Sequence, residues 1–190
     1  SIPEATRTAR GRHMANLLPI GSGESIKEVI PIPEDHFEKY LLFSTKRGLV
    51  KRSQLSDYQN IRQNGLRAIK IQDGDTLVNI RVTDGTKDVL LCSSSGKIIR
   101  FNESDCRVMG RVSQGVKGIA IDEHENIIGM ELIDDSVEIL SVTEKGFGKR
   151  TQAVQYRKQG RGGRGILAMK LTDRNGDIVQ IKPVTDKDDL

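Results

Sequence analysis

Glycine recurs in pairs along this chain, and the pairs keep step with a period of about fifty residues. Gly48, Gly96 and Gly146 each stand between two short β-rich runs, as the tight turn of a hairpin requires. Gly65, Gly115 and Gly165 each close the polar loop that follows, and an alternating strand comes next: 66–71, 116–121 and 166–171. An acidic turn then leads to a fourth strand, over 77–82, 127–132 and 178–181. Each unit therefore reads as four short strands. Residues 1–35 supply the second half of an earlier unit, with Gly11 as its closing glycine, 14–18 as its third strand and 26–32 as its fourth. The units run over 36–85, 86–135 and 136–190, with a polar, acidic connector at 33–39.

No segment keeps a helical period. Four-strand units at fixed spacing predict an all-β, propeller-like array of about three and a half blades, because one unit cannot bury both faces of its sheet alone. An ordinary β-sandwich would need three aligned glycine pairs and a matching strand order by coincidence.

The chain is mildly basic, at a formal +4, which permits a polyanionic partner without requiring one. Trp is absent and aromatics make up 4%, too few for a binder that stacks single-stranded bases on aromatic platforms. No apolar run reaches the roughly 20 residues of a membrane span. Cys92 and Cys106 match no metal spacing and are read as reduced thiols. A first residue other than Met, without a signal peptide, reads as the start of an excised piece.

The charge is segregated within the repeat. Acidic residues gather in the turns and connectors, and basic ones between the hairpin and the third strand. In the last unit these are Lys145, Lys149, Arg150, Arg157, Lys158, Arg161, Arg164 and Lys170. Stacking would set such loops in one curved basic stripe. The densest loop is Gln159-Gly160-Arg161-Gly162-Gly163-Arg164-Gly165. Its two guanidinium forks suit phosphate oxygens, and its glycines let backbone N–H groups come close to a ligand. Met109-Gly110-Arg111-Val112-Ser113-Gln114-Gly115 occupies the same slot one unit earlier, and Arg7 and Arg10 precede Gly11 in the half unit. The shorter loop of the first full unit offers Arg62. One arginine per unit suits a bent duplex held through its backbone. The candidate DNA contacts are Gln159, Gly160, Arg161, Gly162, Gly163, Arg164 and Gly165, then Arg7, Arg10, Arg62 and Arg111, with Lys149 and Arg150 in support.

On these residues the chain resembles the C-terminal domain of the A subunit of bacterial DNA gyrase. The seven-residue loop fits that family's box of Gln, any residue, Arg, Gly, Gly, a basic residue and Gly. Similar stretches are Pro3-Glu4-Ala5-Thr6-Arg7, Asn16-Leu17-Leu18-Pro19 and Gly146-Phe147-Gly148-Lys149-Arg150-Thr151. The resemblance implies a β-pinwheel that wraps duplex DNA around its rim, within a cytoplasmic topoisomerase that introduces negative supercoils. It also implies a gyrase B subunit in an A2B2 holoenzyme, with ATP and Mg serving that holoenzyme and none needed in this chain. The cutting tyrosine of the family lies outside this stretch. The box departs from the family in lying late in the chain, where the family usually has it in the first blade.

Two other readings stay open at this point: the equivalent domain of topoisomerase IV, and a protein-binding propeller scaffold. The box speaks against the first, and the absence of Trp and of repeated Gly-Gly pairs against a kelch-type scaffold. Gly160–Gly165 matches G-x-G-x-x-G literally, but a loop precedes it and a strand follows, so it is not a dinucleotide site. Tyr58, Cys106 and Tyr156 fill one repeated slot and read as packing residues. His13, His36 and His124 show no ligand spacing.

Overall fold

The computed structural model describes residues 4–32, 38–62 and 65–188. These form strands β1 (Tyr40–Thr45), β2 (Leu49–Gln54), β3 (Leu77–Thr83), β4 (Asp88–Ser93), β5 (Lys97–Asn102), β6 (Val116–Lys117), β7 (Ile127–Ile133), β8 (Glu138–Thr143), β9 (Gly148–Gln152), β10 (Ile166–Leu167) and β11 (Ile178–Val184). No α-helix occurs among the described residues. A single 3-10 turn follows the second strand of each hairpin, at Leu55–Tyr58, Glu103–Asp105 and Ala153–Gln155.

The hairpins fall where the glycines place them: β1 with β2, β4 with β5 and β8 with β9, all antiparallel. The fourth strand of each unit, β3, β7 or β11, adds to the first strand of its own hairpin. These three strands also pack side by side and form the hub. Arg81 on β3 and Lys182 on β11 both reach Glu131 on β7, at 3.1 and 2.9 Å, and Glu28 meets Arg81 at 2.5 Å.

The third strands differ from the expectation. In the second and third units only two residues of each are strand, and they pair with the hairpin of the preceding unit: Val116 with Val50 and Lys117 with Leu49, then Ile166 with Ile98 and Leu167 with Lys97. The sheets therefore read β3-β1-β2-β6, β10-β5-β4-β7 and β11-β8-β9. Units and blades are thus offset by one strand, because the second and third units each give their third strand to the blade before. Beyond the two paired residues the chain turns inward. Gly118 and Ala168 donate to the carbonyls of Gly48 and Gly96, both at 2.8 Å, and Ile119 and Ala168 are buried.

Residues 66–71 and 26–32 contain no strand, and the predicted third strand at 14–18 is instead a 3-10 turn, Met14–Asn16. None of the three lies in a ladder with a preceding hairpin among the described residues. In 14–18 the backbone groups find local partners, Leu17 N–H to Met14 O at 2.9 Å. Residues 26–32 still take the hub position of a fourth strand. Glu28 accepts the Ile80 N–H at 2.6 Å, as Asn79 accepts the Met130 N–H at 2.9 Å one unit later. Most of the 33–39 connector falls outside the described residues.

Every residue of β4 is buried because both faces of the middle sheet are covered. Val89 and Leu91 face the first blade together with Leu42, Val50, Phe101 and Ile119. Leu90 and Cys92 face the third together with Ile139, Tyr156, Ile178 and Ile181. Cys106 and Tyr156 sit in these inter-blade cores and Tyr58 packs against the cluster of Leu41, Phe43 and Leu55, so the repeated slot is a packing slot. Burial pushes the Cys92 and Cys106 thiols up to about 12, as expected of inert core cysteines. No helix among the described residues is long and apolar enough to cross a membrane.

Candidate nucleic-acid interface

Strand exchange carries the polar loops of the second and third units to the outer edge of the preceding blade. Val108 bridges Arg52 on β2, and Lys158 bridges Arg100 on β5, both in parallel. Met109 N–H donates to Arg52 O at 2.8 Å and Gln159 N–H to Arg100 O at 2.9 Å. The two aligned loops thus leave equivalent points on successive blades and re-enter through β6 and β10. With β3, β7 and β11 at the hub, residues 107–117 and 157–167 are the rim.

The closing glycines are dictated by that route. All four, Gly11, Gly65, Gly115 and Gly165, have positive φ. A Cβ on Gly115 would lie 2.6 Å from Val50 O, and one on Gly165 would lie 2.5 Å from Ile98 O. These last two glycines let the exchanged strand meet the receiving backbone. Gly160 is different: no atom lies within 4 Å of a Cβ built there, and its φ is not positive.

The charged side chains fall into two groups. Arg164, Arg62, Arg7 and Arg10 are exposed, as is Lys149, and no hydrogen bond or ion pair holds their side chains among the described residues. Others are engaged. Arg161 donates from Nε to Asp105 O at 3.2 Å and from Nη1 to Lys117 O at 2.7 Å. Arg150 pairs with Glu138 at 3.0 Å and Asp186 at 3.2 Å. Arg111 is half-buried, with its Nε unpartnered. Gln159 anchors the loop through its backbone, and its Nε2 is buried without a partner. Gly162 N–H donates to Gly118 O at 2.7 Å, and Gly163 O accepts from Ala120 N–H at 2.8 Å.

The rim is also less uniformly basic than the sequence implies. Lys158 meets Asp88 at 2.9 Å, Lys97 meets Asp122 at 2.9 Å, and Arg100 is buried against Asp88. Burial pushes the Asp88 carboxyl up, but the hydrogen bonds from Lys158 and Arg100 outweigh it and hold the group below the usual carboxylate range. Exposed cations outside the candidate contacts stand on the same stretches: Arg107 and Arg157 after the packing slot, Lys117 on β6, and Arg67 at the equivalent position. Aligning the repeats residue by residue puts Arg107 beside Arg157 and Arg67 beside Lys117, and that signal was available in the sequence. His13 and His124 are exposed, and His36 lies outside the described residues.

A family model described as DNA gyrase C-terminal domain, beta-propeller, matches residues 39–84, 87–134 and 138–185. The chain belongs to this DNA gyrase C-terminal domain family. The DNA gyrase A subunit of Staphylococcus epidermidis is 40% identical over 192 residues, and that of Haloquadratum walsbyi 39% over 195. Both alignments cover all of this chain but only 22% and 23% of those proteins, so the chain spans about a quarter or less of their length. Among solved structures, the C-terminal domain of DNA topoisomerase IV superposes with a TM-score of 0.85 at 30% identity, covering 93% of this chain and 55% of that one. A DNA gyrase A C-terminal domain superposes with a TM-score of 0.81 at 24% identity, covering 94% and 60%, a likeness of fold. The gyrase-family fold is therefore a propeller whose rim loops include one complete seven-residue box.

Proposed function

We infer that this chain binds, bends and wraps duplex DNA around its rim, without base-sequence preference, as the C-terminal domain of a gyrase A protein. The observation that carries the reading is the placement of equivalent loops on the outer edges of successive blades, with unpaired cations along them. Phosphate contacts of this kind position a duplex but read no sequence. Bending 20–30 base pairs by 40–90° costs on the order of 1–6 kcal/mol, which a row of arginine–phosphate contacts offsets. In the whole enzyme the wrap would present a nearby segment of the same DNA for passage. The A2B2 assembly with gyrase B, ATP-driven negative supercoiling, the magnesium requirement and a cytoplasmic location belong to this proposal. No group of three or more His, Cys, Asp or Glu among the described residues is placed to hold a metal ion.

The test is a titration of the chain with random-sequence duplexes of increasing length at several salt concentrations. Affinity should rise with length, and log K should fall linearly with log salt. For about 6–10 neutralised phosphates the loss is about 10³–10⁵ between 50 and 200 mM. A flat salt response or indifference to duplex length contradicts the reading.

The topoisomerase IV domain is the second reading, favoured by its higher TM-score and identity among the solved structures. The complete box and the gyrase A relatives at 40% identity favour the first.

A further inference from the structure

The two arginines of the box have different surroundings, and the difference repeats a solution found elsewhere in the chain. Three consecutive box residues fasten to one short stretch of the preceding unit: Arg161 to Lys117 O, Gly162 to Gly118 O and Gly163 to Ala120 N–H. Lys117 belongs to β6, which is paired into the first blade, whereas the box is mounted on β5 of the second. The box therefore spans the joint between two blades.

At the previous joint the same task falls to another side chain. Lys51, fully buried, donates from Nζ to Ala68 O at 2.6 Å and also to Arg111 O. Ala68 is the counterpart of Gly118, and Arg111 the counterpart of Arg161. The position equivalent to Lys51 in the second blade is Ile99, a buried side chain with no donor. Where that lysine is missing, Arg161 and the Gly162 N–H supply the donors. With its Nε committed to Asp105 O, Arg161 has lost the paired Nε and Nη2 donors that make the side-on fork for phosphate. Arg164 is exposed and, although Lys97 and after it the Arg164 charge hold the Asp122 carboxyl below the usual carboxylate range, no hydrogen bond among the described residues occupies either of its forks.

We propose that Arg161 is a positioning residue, a clasp that locks the rim loop across the blade joint, and that Arg164 is the phosphate-facing cation of the box. The second half rests on the DNA-wrapping reading; the first half does not. Three variants of the whole chain separate the roles: Arg161→Gln, Arg161→Lys and Arg164→Gln. In DNA-free protein, amide exchange at Gly162 and Ala120 reports the clasp. Both Arg161 variants should speed it about tenfold or more, because Lys keeps the charge but replaces the separate Nε and Nη1 donors, which reach Asp105 O and Lys117 O, with one ammonium at the end of a differently shaped stem. Arg164→Gln should leave it unchanged.

In duplex titrations, Arg164→Gln should lower the salt slope by ~0.9, one phosphate's share. The Arg161 variants should weaken binding with the slope kept. Unchanged exchange in both Arg161 variants, or a slope restored by Lys alone after loss in Gln, overturns the clasp. Failure of the unaltered chain to bind duplex at low salt defeats the DNA reading, and the exchange data still decide the clasp.

Discussion

A lysine ammonium taken out of water keeps its charge only where oxygen atoms replace its hydration. Lys51 has two such carbonyls, and its Nζ lies 5.4 Å from the centre of the Phe43 ring. Burial nevertheless lowers its pKa from 10.5 to about 8. Between those values the unfolded chain holds the proton more often than the folded one. Stability contributed by Lys51 therefore rises as pH increases through that window. The unfolding free energy of the chain, minus that of Lys51→Met, should grow by up to about 2 kcal/mol from pH 7 to pH 9.5 in urea titrations. A difference that stays flat or shrinks would mean that the ammonium is not desolvated. This residue shows what sequence reading misses. A lysine in a basic repeat reads as surface, and only the approach of residues 68 and 111 from two units makes it interior.

At the scale of elements, the hairpins and hub strands were legible because each is a local pattern: apolar alternation, a turn glycine and a second run. The exchanged strands were not. β6 and β10 hold two paired residues each, and their partners lie about seventy residues earlier, so no local periodicity records the pairing. The closing glycines were visible as a repeat, but at Gly115 and Gly165 their cause is the carbonyl of the receiving strand. That cause predicts a contrast within the box. Gly165→Ala places a methyl against Ile98 O at positive φ and should destabilise the chain by about 1–3 kcal/mol. Gly160→Ala meets no atom and should stay within about 0.5 kcal/mol. Thermal melts of the two variants side by side check this. Equal losses would mean that the exchanged strand does not enter through Gly165 as described.

Across the whole molecule, the exchange explains why a rim of loops can act as one surface. The first and second blades each carry on their outer edge a piece of the next unit, so bending between blades must also move the cations that a duplex would follow. Ion pairs at the hub and clasps at the rim fix that angle from both sides. The basic stripe read from the sequence is real in place but thinner in charge, since Lys158, Lys97 and Arg150 face carboxylates. The cations that remain define the path proposed for DNA: Arg107 and Arg157 recur at one position on successive blades, Arg67 and Lys117 share another, and Arg164 stands where the preceding loop has Gln114.

A topological assay tests that path most directly. A nicked plasmid is saturated with the chain, the nick is sealed, the protein is removed and the linking number is measured. Wrapping on the rim predicts a shift in linking number that grows with protein bound and shrinks for Arg164→Gln. Tight binding with no shift in linking number would contradict it.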